Sequence, residues 1–365
     1  MNKENIIKAL QTVKDPWLNR DIVTLDFVQD LQLTNGNVKF KLILNRPSAS
    51  AQTLLEQKAR DALLGLNGVD SVEIITGWNV PAGNATEGKQ SVPGVKNLIA
   101  VSSGKGGVGK STVAVNLAVS LAQAGAKVGL LDTDVYGPNV PIMIGMHDQP
   151  SVHGQRLMPN VAHGLKVMSL GFLNPGDRPV VWRGPMLHTA IRQFLYDVEW
   201  GALDYLVVDR PPGTGDAQLS LAQLVPVQGA VLVTTPQEVA MADVRKAINM
   251  FDQVHIPVLG IVENMSYFVC DNCSTRHAIF GSGGGQELAS RFNVPLLGQV
   301  PLSIEVREGG DAGVPIVIGD PESLQAAAFR EIADNVATQI TVQAMKGGGL
   351  PVINLSDNRG DSFAV

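Results

Sequence analysis

A glycine-rich segment in the middle of the chain has the residue types and spacing of a phosphate-binding loop. It reads Gly104-Lys105-Gly106-Gly107-Val108-Gly109-Lys110-Ser111 and fits G-x-x-x-x-G-K-[ST] at every fixed position. Glycines let backbone N–H groups converge on phosphate oxygens, Lys110 neutralises the β- and γ-phosphates, and Ser111 offers a hydroxyl to Mg²⁺. An apolar run precedes the loop and a helical pattern that includes Thr112 follows it. The segment from Gly104 to Thr112 is therefore predicted to bind a nucleotide.

Carboxylates stand where two other apolar runs end. Asp132 and Asp134 follow residues 127–131, and Asp209 follows residues 205–208. Ligands of open α/β sheets bind at the carboxyl ends of the strands, and an aspartate ending such a strand has the Walker B position that holds Mg²⁺. A single aspartate at a strand end is more often a helix cap or a turn former. Two such sites together with a phosphate loop favour a functional role.

The two cysteines of the chain form the motif Cys270-x-x-Cys273, after an apolar run at 258–262. Thiolates at this spacing can share a metal ion or a cluster, but iron–sulfur clusters and zinc normally take four ligands. The count requires either two subunits that contribute two thiolates each or help from a histidine, for which His277 is nearest in sequence. A dithiol redox centre and an inert pair are the alternatives, although a redox C-x-x-C motif normally opens a helix.

Lys105 indicates to which class of P-loop ATPases the nucleotide site belongs. A lysine at this position resembles that of the deviant Walker A ATPases, in which it reaches across a dimer to the phosphates of the other subunit. The resemblance implies an ATP-sandwich homodimer. A second ammonium can also stabilise charge on the transferred phosphoryl group, as an arginine finger does.

Longer segments resemble the Mrp-type, ApbC-like family of iron–sulfur cluster carrier ATPases. The matching segments are residues 101–112, 131–141, 182–186, 209–216, 235–238 and 263–285. The resemblance implies that ATP is bound and slowly hydrolysed, and that a labile 4Fe-4S cluster is bound between two subunits and passed to apoproteins. The implied partners are a second copy of the chain, apo iron–sulfur proteins and cluster-assembly scaffolds.

The resemblance also implies roles for single residues. Lys105, Lys110 and Asp134 would be catalytic, with Asp134 orienting the attacking water or bridging to Mg²⁺ and Asp132 supporting it. Asn264 would hydrogen-bond adenine. The ligands in the metal sites would be Ser111 and Asp209 for Mg²⁺, and Cys270 and Cys273 for the cluster.

Two features depart from that family. Arg210 stands where an apolar residue usually follows the aspartate, so the local charge and the hydrolysis rate are expected to differ. Stand-alone relatives of the N-terminal domain often carry a reactive cysteine after the hairpin, whereas residues 45–50 of this chain contain none. That domain is therefore expected to recognise partners and to supply no thiolate.

The elements that position these residues follow from hydrophobic periodicity. Residues 1–76 are predicted to be a small α+β iron–sulfur-assembly-type domain, with helices at 3–13 and 48–64, strands at 22–33, 37–44 and 69–75, and a hairpin turn at Asn35-Gly36. Residues 77–95 are a predicted linker. Residues 96–345 are predicted to be an α/β P-loop ATPase domain with a doubly wound, mainly parallel sheet, because apolar runs at 97–101, 127–131, 165–170, 205–208, 230–234, 258–262 and 295–300 mostly alternate with helices. The last helix is expected at 321–344, and residues 346–365 are expected to be a flexible tail.

Composition excludes several classes of protein. The 365 residues are 45% hydrophobic and 17% charged, which excludes collagen, general disorder and disulfide-rich miniproteins. The net charge of −6 supplies no global field for nucleic acid, and no apolar run approaches the roughly 18 residues of a membrane span. With no recognisable targeting segment at the N-terminus, the expected location is the cytoplasm, without nucleic-acid or membrane partners.

Other functions share parts of this pattern. A partitioning or positioning ATPase of the deviant Walker A type explains the phosphate loop but not the cysteine pair. An electron-transfer reductase like the nitrogenase iron protein would use single, widely separated cysteines. A zinc-binding regulatory ATPase needs only a different metal at the same cysteine pair.

Overall fold

The computed structural model describes residues 2–86, 88–135, 137–173, 184–213 and 221–347. The predicted tail beyond residue 347 and the matching segments at 182–183 and 214–216 lie outside these residues. By contacts, the chain forms two units. Among the described residues, one unit comprises 2–81 and 337–347, and the other lies within Ala82–Val336.

The first unit has a three-stranded sheet in the order β3-β4-β5. Its elements are α1 Lys3–Leu10, β1 Lys14–Asp15, β2 Arg20–Asp21, β3 Val28–Thr34, β4 Asn37–Leu44, α2 Ala49–Leu64 and β5 Ser71–Trp78. Strands β3 and β4 are antiparallel and β5 is parallel to β4. Asn35 and Gly36 have φ values of 46° and 77°, as the predicted hairpin turn requires. Along β4 alternate side chains are buried, and these belong to the core of the unit.

The predicted strand at 22–33 was wrong in its first half. Asp21 Oδ1 accepts hydrogen bonds from the N–H groups of Val23 and Thr24, at 3.1 and 2.8 Å, and Asp26 has a φ of 57°. An aspartate that binds the backbone two and three residues further on favours a turn over a ladder. The apolar residues here face the core from a turn, and helix α1 ends at Leu10 instead of residue 13.

The second unit is built around a mostly parallel sheet. Its strands are β6 Val95–Ser103, β7 Val128–Asp132, β8 Val152–His153, β9 Arg156–Leu157, β10 Asn160–Ala162, β11 Leu165–Ser169, β12 Leu203–Asp209, β13 Gly229–Thr234, β14 Val258–Val269, β15 Arg276–His277 and β16 Leu296–Leu302. Its helices are α3 Lys110–Gln123, α4 Val140–Met143, α5 Gly184–Tyr196, α6 Glu238–Gln253, α7 Gly284–Phe292, α8 Ile304–Ala312, α9 Ile316–Gly319 and the first part of α10 Leu324–Gly347, with a 3₁₀ turn at Leu170–Leu173.

The order of this sheet is β10-β11-β7-β12-β6-β13-β14-β15, with β16 also paired to β14. Strands β11, β7, β12, β6, β13, β14 and β16 pair in parallel. Strand β10 pairs antiparallel with β11, and β15 pairs antiparallel with β14. Every residue of β7 and β13 is buried, as expected for parallel strands covered on both faces. The predicted fold class is confirmed: an α/β P-loop domain that follows a small α+β domain.

Helix α10 differs from its predicted place. It begins after Ser323, whose Oγ accepts from Ala326 N–H at 3.1 Å, and it runs to Gly347 instead of residue 344. Its last part lies in the first unit, where Val342 joins the core and Thr341 Oγ1 donates to the Asn45 carbonyl at 3.2 Å. The predicted second domain includes residues up to 345, whereas the contacts place residues 337–347 in the first unit. Helical periodicity identifies an apolar face but not the core that the face enters.

None of the described helices combines the length and apolar character needed to cross a lipid bilayer.

Candidate functional site

The glycine-rich loop joins strand β6 to helix α3 in the middle of the sheet. Gly109 is the N-cap of α3 with a φ of 78°, in the left-handed region where glycine is strain-free. A Cβ at Gly109 would collide with the Asn264 amide, so the backbone and that side chain approach closely. At Gly106 and Gly107 a Cβ would meet only open space. The middle of the loop is therefore accessible to a phosphate chain at the N-terminus of α3.

Lys110 is held between two carboxylates. Its Nζ lies 2.5 Å from Asp209 Oδ1 and 3.6 Å from Asp134 Oδ2, and it donates to Ser111 Oγ at 3.3 Å. Strand β12 places Asp209 beside the loop because β12 pairs directly with β6. The structure thus brings together Lys110, Ser111, Asp134 and Asp209, which the sequence analysis took from three separate segments.

Asp209 has the character of a magnesium ligand. Its side chain is fully buried, and this burial raises its pKa while the nearby Lys110 ammonium opposes the shift. Asp209 Oδ2 is buried with no hydrogen-bond partner among the described residues. Mg²⁺ prefers oxygen ligands and is usually held by one or two carboxylates together with substrate phosphates. The Asp209 carboxylate and the Ser111 hydroxyl fit that requirement.

Asp132 supports the backbone of the segment that carries Asp134. Asp132 Oδ1 accepts from Asp134 N–H at 3.0 Å, and Asp132 Oδ2 accepts from Ser169 Oγ at 2.9 Å. The Asp209 carbonyl accepts from both N–H and Oγ1 of Thr133, at 2.9 and 3.0 Å. Burial, with the nearby Asp209 charge, raises the pKa of Asp132 to about 8. Asp132 is thus a structural partner within the site.

Lys105 has a different environment from Lys110. It is half-buried, and its ammonium has no hydrogen bond or ion pair among the described residues. The Lys105 carbonyl accepts from Ser103 Oγ at 2.8 Å, which holds the backbone of the loop. The side chain is thus available to an anion outside its own loop.

Asn264 contacts the phosphate loop directly. Its Nδ2 donates to the Val108 carbonyl at 2.9 Å. The residue also lines a cavity of about 340 Å³ next to Thr112 at the start of α3. Helix α4 contributes Ile142 to its wall, and the chain from Pro301 into α8 contributes further lining residues. A cavity of this volume is within the range of small-molecule sites.

Arg210 is buried away from solvent beside helix α6. Its guanidinium carbon lies 5.3 Å from the centroid of the Phe251 ring, a cation–π contact. Burial lowers the pKa of Arg210 to about 9. The cation that replaces an apolar residue at this position is accommodated by packing against α6.

The cysteine pair lies at the tip of a β-hairpin, which corrects the expected loop after residue 262. Strand β14 continues to Val269, and β15 returns antiparallel with Phe268 opposite His277. Cys270 N–H donates to the Thr275 carbonyl at 3.0 Å and closes the tip. The strand continues because it gains this partner strand, whose two residues are too few to be seen as a periodic pattern.

Both thiols are free, Cys273 being exposed and Cys270 half-buried. A hydrogen bond of 3.2 Å joins Cys273 Sγ and Thr275 Oγ1. This contact, together with hydrogen bonds from the Thr275 backbone and the Cys270 thiol, lowers the pKa of Cys273. A lower pKa increases the thiolate fraction that a metal requires. No group of three or more His, Cys, Asp or Glu side chains suited to a metal ion occurs among the described residues. His277 is one of these residues, so it does not complete a three-ligand site with the cysteines.

Glu263 has a role that the sequence analysis missed. Its buried carboxylate accepts from Ser266 Oγ at 2.5 Å, from Gly285 N–H at 2.6 Å and from Gln299 Nε2 at 2.7 Å. It thereby joins β14, the start of α7 and β16 immediately beside Asn264. A charged residue that ends an apolar run is the signal that could have revealed it.

The sheet order, the glycine-rich loop and the adjoining lysine and carboxylates define a P-loop NTPase. Two family models match the chain: a NUBPL iron-transfer P-loop NTPase over residues 94–337 and an iron–sulfur cluster assembly protein over residues 3–74. The chain belongs to the iron–sulfur cluster carrier family of P-loop NTPases.

Similar proteins agree with this assignment. The iron–sulfur cluster carrier protein of Synechocystis sp. is 50% identical over 351 residues, covering 94% of this chain and 99% of the relative. That of Escherichia coli is 45% identical over 334 residues, covering 91% of this chain and 90% of the relative. A nucleotide-binding protein from Archaeoglobus fulgidus, solved in complex with ADP, is 44% identical with a TM-score of 0.55, covering 61% of this chain and 88% of its own. The cell division ATPase MinD of Pyrococcus furiosus shares the fold at 25% identity and a TM-score of 0.50, covering 66% of this chain and 98% of its own.

Proposed function

We propose that this protein is an ATP-binding and ATP-hydrolysing carrier that assembles a 4Fe-4S cluster between two copies of the chain and transfers it to apoproteins. The observation that carries the proposal is the course of strand β14. Its residue Asn264 binds the phosphate loop at Val108, and the same strand ends at the cysteine hairpin. The strand that carries the nucleotide contact therefore leads directly to the pair of thiols.

At the nucleotide site, the chain's own residues bind and neutralise the triphosphate. Lys110, now paired with Asp209 and Asp134, would turn to the β- and γ-phosphates, and the open face of the glycine loop would donate N–H groups to them. Ser111 and Asp209 would hold Mg²⁺, which neutralises phosphate charge when bound. Asp134 would orient the attacking water, and adenine would occupy the cavity beside Asn264.

Lys105 would complete the active site of the second copy. Its ammonium has no partner in its own described chain, so it can approach the phosphates of the other subunit, where charge develops in the transition state. This assignment rests on the resemblance to deviant Walker A ATPases together with the side chain's environment.

At the hairpin, the thiol count supports a shared cluster. Each chain contributes Cys270 and Cys273, and the described residues add no third protein ligand. A 4Fe-4S cluster takes four thiolates, which two chains supply together. Apo iron–sulfur proteins and assembly scaffolds would be the partners in transfer, and the N-terminal unit, which has no cysteine, would recognise them.

The cysteines provide the direct test. After anaerobic reconstitution, the unaltered chain is expected to carry four iron and four sulfide per dimer. Cys270→Ser and Cys273→Ser are expected to lose the cluster and to keep the ATP affinity of the cluster-free unaltered chain, since both thiols belong to the hairpin tip and not to the phosphate loop. Iron and acid-labile sulfide analysis with sizing in solution measures this. Ser274→Ala, at the same hairpin tip, is the matched control. A full cluster on a demonstrated monomer, or zinc with no sulfide, would overturn the bridging proposal.

A further inference from the structure

We propose that His163 is a positioning residue of the base-binding cavity, because it ties together two helices that both line that cavity. The inference rests on the proposed nucleotide site and assigns to it a residue remote in sequence from the phosphate loop. Its Nε2 lies 3.2 Å from the Ile144 carbonyl and 3.1 Å from the Gly313 carbonyl.

These two carbonyls stand at equivalent places. Ile144 follows helix α4 and Gly313 follows helix α8, so both belong to the helix ends whose carbonyls lack intrahelical partners. A single Nε2–H shared by both oxygens is a three-centre hydrogen bond, a type common at helix termini. The imidazole thus connects the C-terminal ends of the two helices.

The ends of α4 and α8 also approach each other closely. Gly145 and Gly313 have φ values of 67° and 74°, and a Cβ at Gly313 would collide with the backbone of Gly145. Backbone meets backbone here, and His163 hydrogen-bonds to both helix ends beside this contact. The relative position of the two helix ends is therefore constrained at this place.

Helix α8 needs such support. None of its residues is buried, so apolar packing contributes little to holding it in place. Its residues Val306, Gly310 and Asp311 nevertheless line the cavity, as do Ile142 and Met143 of α4. A polar tie at the end of α8 therefore has a direct effect on the cavity wall.

The turn that carries His163 does not need a histidine at this position. His163 and Gly164, with φ values of 51° and 78°, connect the antiparallel strands β10 and β11. Two positive φ values are typical of a type I′ turn, for which Asn-Gly is the preferred pair. Asparagine at position 163 would suit the turn but would be too short to reach the two carbonyls. The substitution His163→Asn therefore removes the hydrogen bonds to the two carbonyls and keeps the conformation of the turn.

The test compares ligands with and without a base. In His163→Asn, the Kd for ADP is expected to rise about 3- to 10-fold, the loss of roughly one net hydrogen bond, while the Kd for inorganic tripolyphosphate and kcat at saturating ATP stay unchanged. His163→Gln, whose Nε2 can take the place of the imidazole Nε2, is expected to restore ADP affinity. His153→Asn, at an exposed histidine of β8, is the control and should change neither Kd.

The possible results separate this inference from the proposed function. Unchanged ADP affinity in His163→Asn, or an equal loss of ADP and tripolyphosphate affinity, would overturn the positioning role while leaving the nucleotide site intact. Failure of the unaltered chain to bind either ligand would overturn the nucleotide site itself. Isothermal titration calorimetry on the full chain measures all the constants.

Discussion

Two lysines of the same loop differ because their surroundings differ. Lys110 lies between the carboxylates of Asp209 and Asp134, which a bound triphosphate would have to replace. Lys105 is half-buried with no ionic partner among the described residues. The first lysine is suited to ground-state binding, and the second to charge that appears during the reaction.

We therefore expect Lys110→Ala to impair ATP binding and Lys105→Ala to impair hydrolysis. Lys110→Ala should weaken ATP binding about 10- to 150-fold, as the loss of a charge-assisted contact implies. Lys105→Ala should lower kcat about 100-fold with little change in affinity, because transition-state contacts act on kcat. Calorimetry and steady-state turnover separate the two effects, and Lys127→Ala, at an exposed lysine, is the control. Normal turnover in Lys105→Ala would exclude the cross-subunit role.

At the scale of elements, the first unit contains a buried ion pair that joins strand β1 to the segment between β4 and α2. Arg46 NH2 lies 2.9 Å from Asp15 Oδ2, and both side chains are fully buried. Asp15 Oδ1 also accepts the N–H groups of Trp17 and Leu18, each at 2.9 Å, and the guanidinium lies over the Trp17 ring. The loop that contains Arg46 is thus tied to the core by charge.

Removing one partner leaves the other charge buried. Arg46→Met is expected to lower the free energy of unfolding of the first unit by about 3–5 kcal/mol. Hydrogen exchange of residues 14–48 in the full chain measures the local change. Lys41→Met is the matched control, because Lys41 forms an exposed ion pair with Asp30 that should contribute at most about 1 kcal/mol. Equal effects of the two variants would contradict the assigned role of the buried pair.

At the scale of the whole molecule, strand β14 connects the two proposed chemical sites. Cys270 directly follows this strand, which carries Asn264 and has an irregularity at Met265, where φ is 55°. Glu263, at the start of this stretch, also holds α7 and β16 through its hydrogen bonds. A nucleotide that shifts Asn264 relative to Val108 would therefore act on an element that ends at the thiols.

Nucleotide and cluster are expected to influence each other. If they favour different arrangements of the dimer, each changes the affinity of the other by the same factor, typically about 5- to 150-fold. Cluster transfer to a chelator or an apoprotein should differ between no nucleotide, ADP and a non-hydrolysable ATP analogue, and Lys110→Ala should abolish the difference. Identical transfer rates at saturating nucleotide would exclude kinetic coupling. A response that persists in a Lys110→Ala protein unable to bind ATP would place the effect at another site.

Local pattern was sufficient to predict the fold class and the parts of the nucleotide site. The glycine loop, the apolar strands and the Asn35-Gly36 turn are determined by neighbouring residues, through φ preferences and periodicity, so the sequence alone predicts them. The position of the carboxylates at strand ends also follows, because parallel strands present their carboxyl ends at one edge of the sheet.

Tertiary structure decided what depends on contacts between distant residues. The tie from His163 to Gly313 spans 150 positions, and the bond from Asn264 to Val108 spans 156. The continuation of β14 to the cysteines needs the partner strand β15, and the last turns of α10 enter the core of the first unit instead of the second. Periodicity identifies a face that must be buried but not the surface that buries it, because that choice depends on packing between distant parts of the chain.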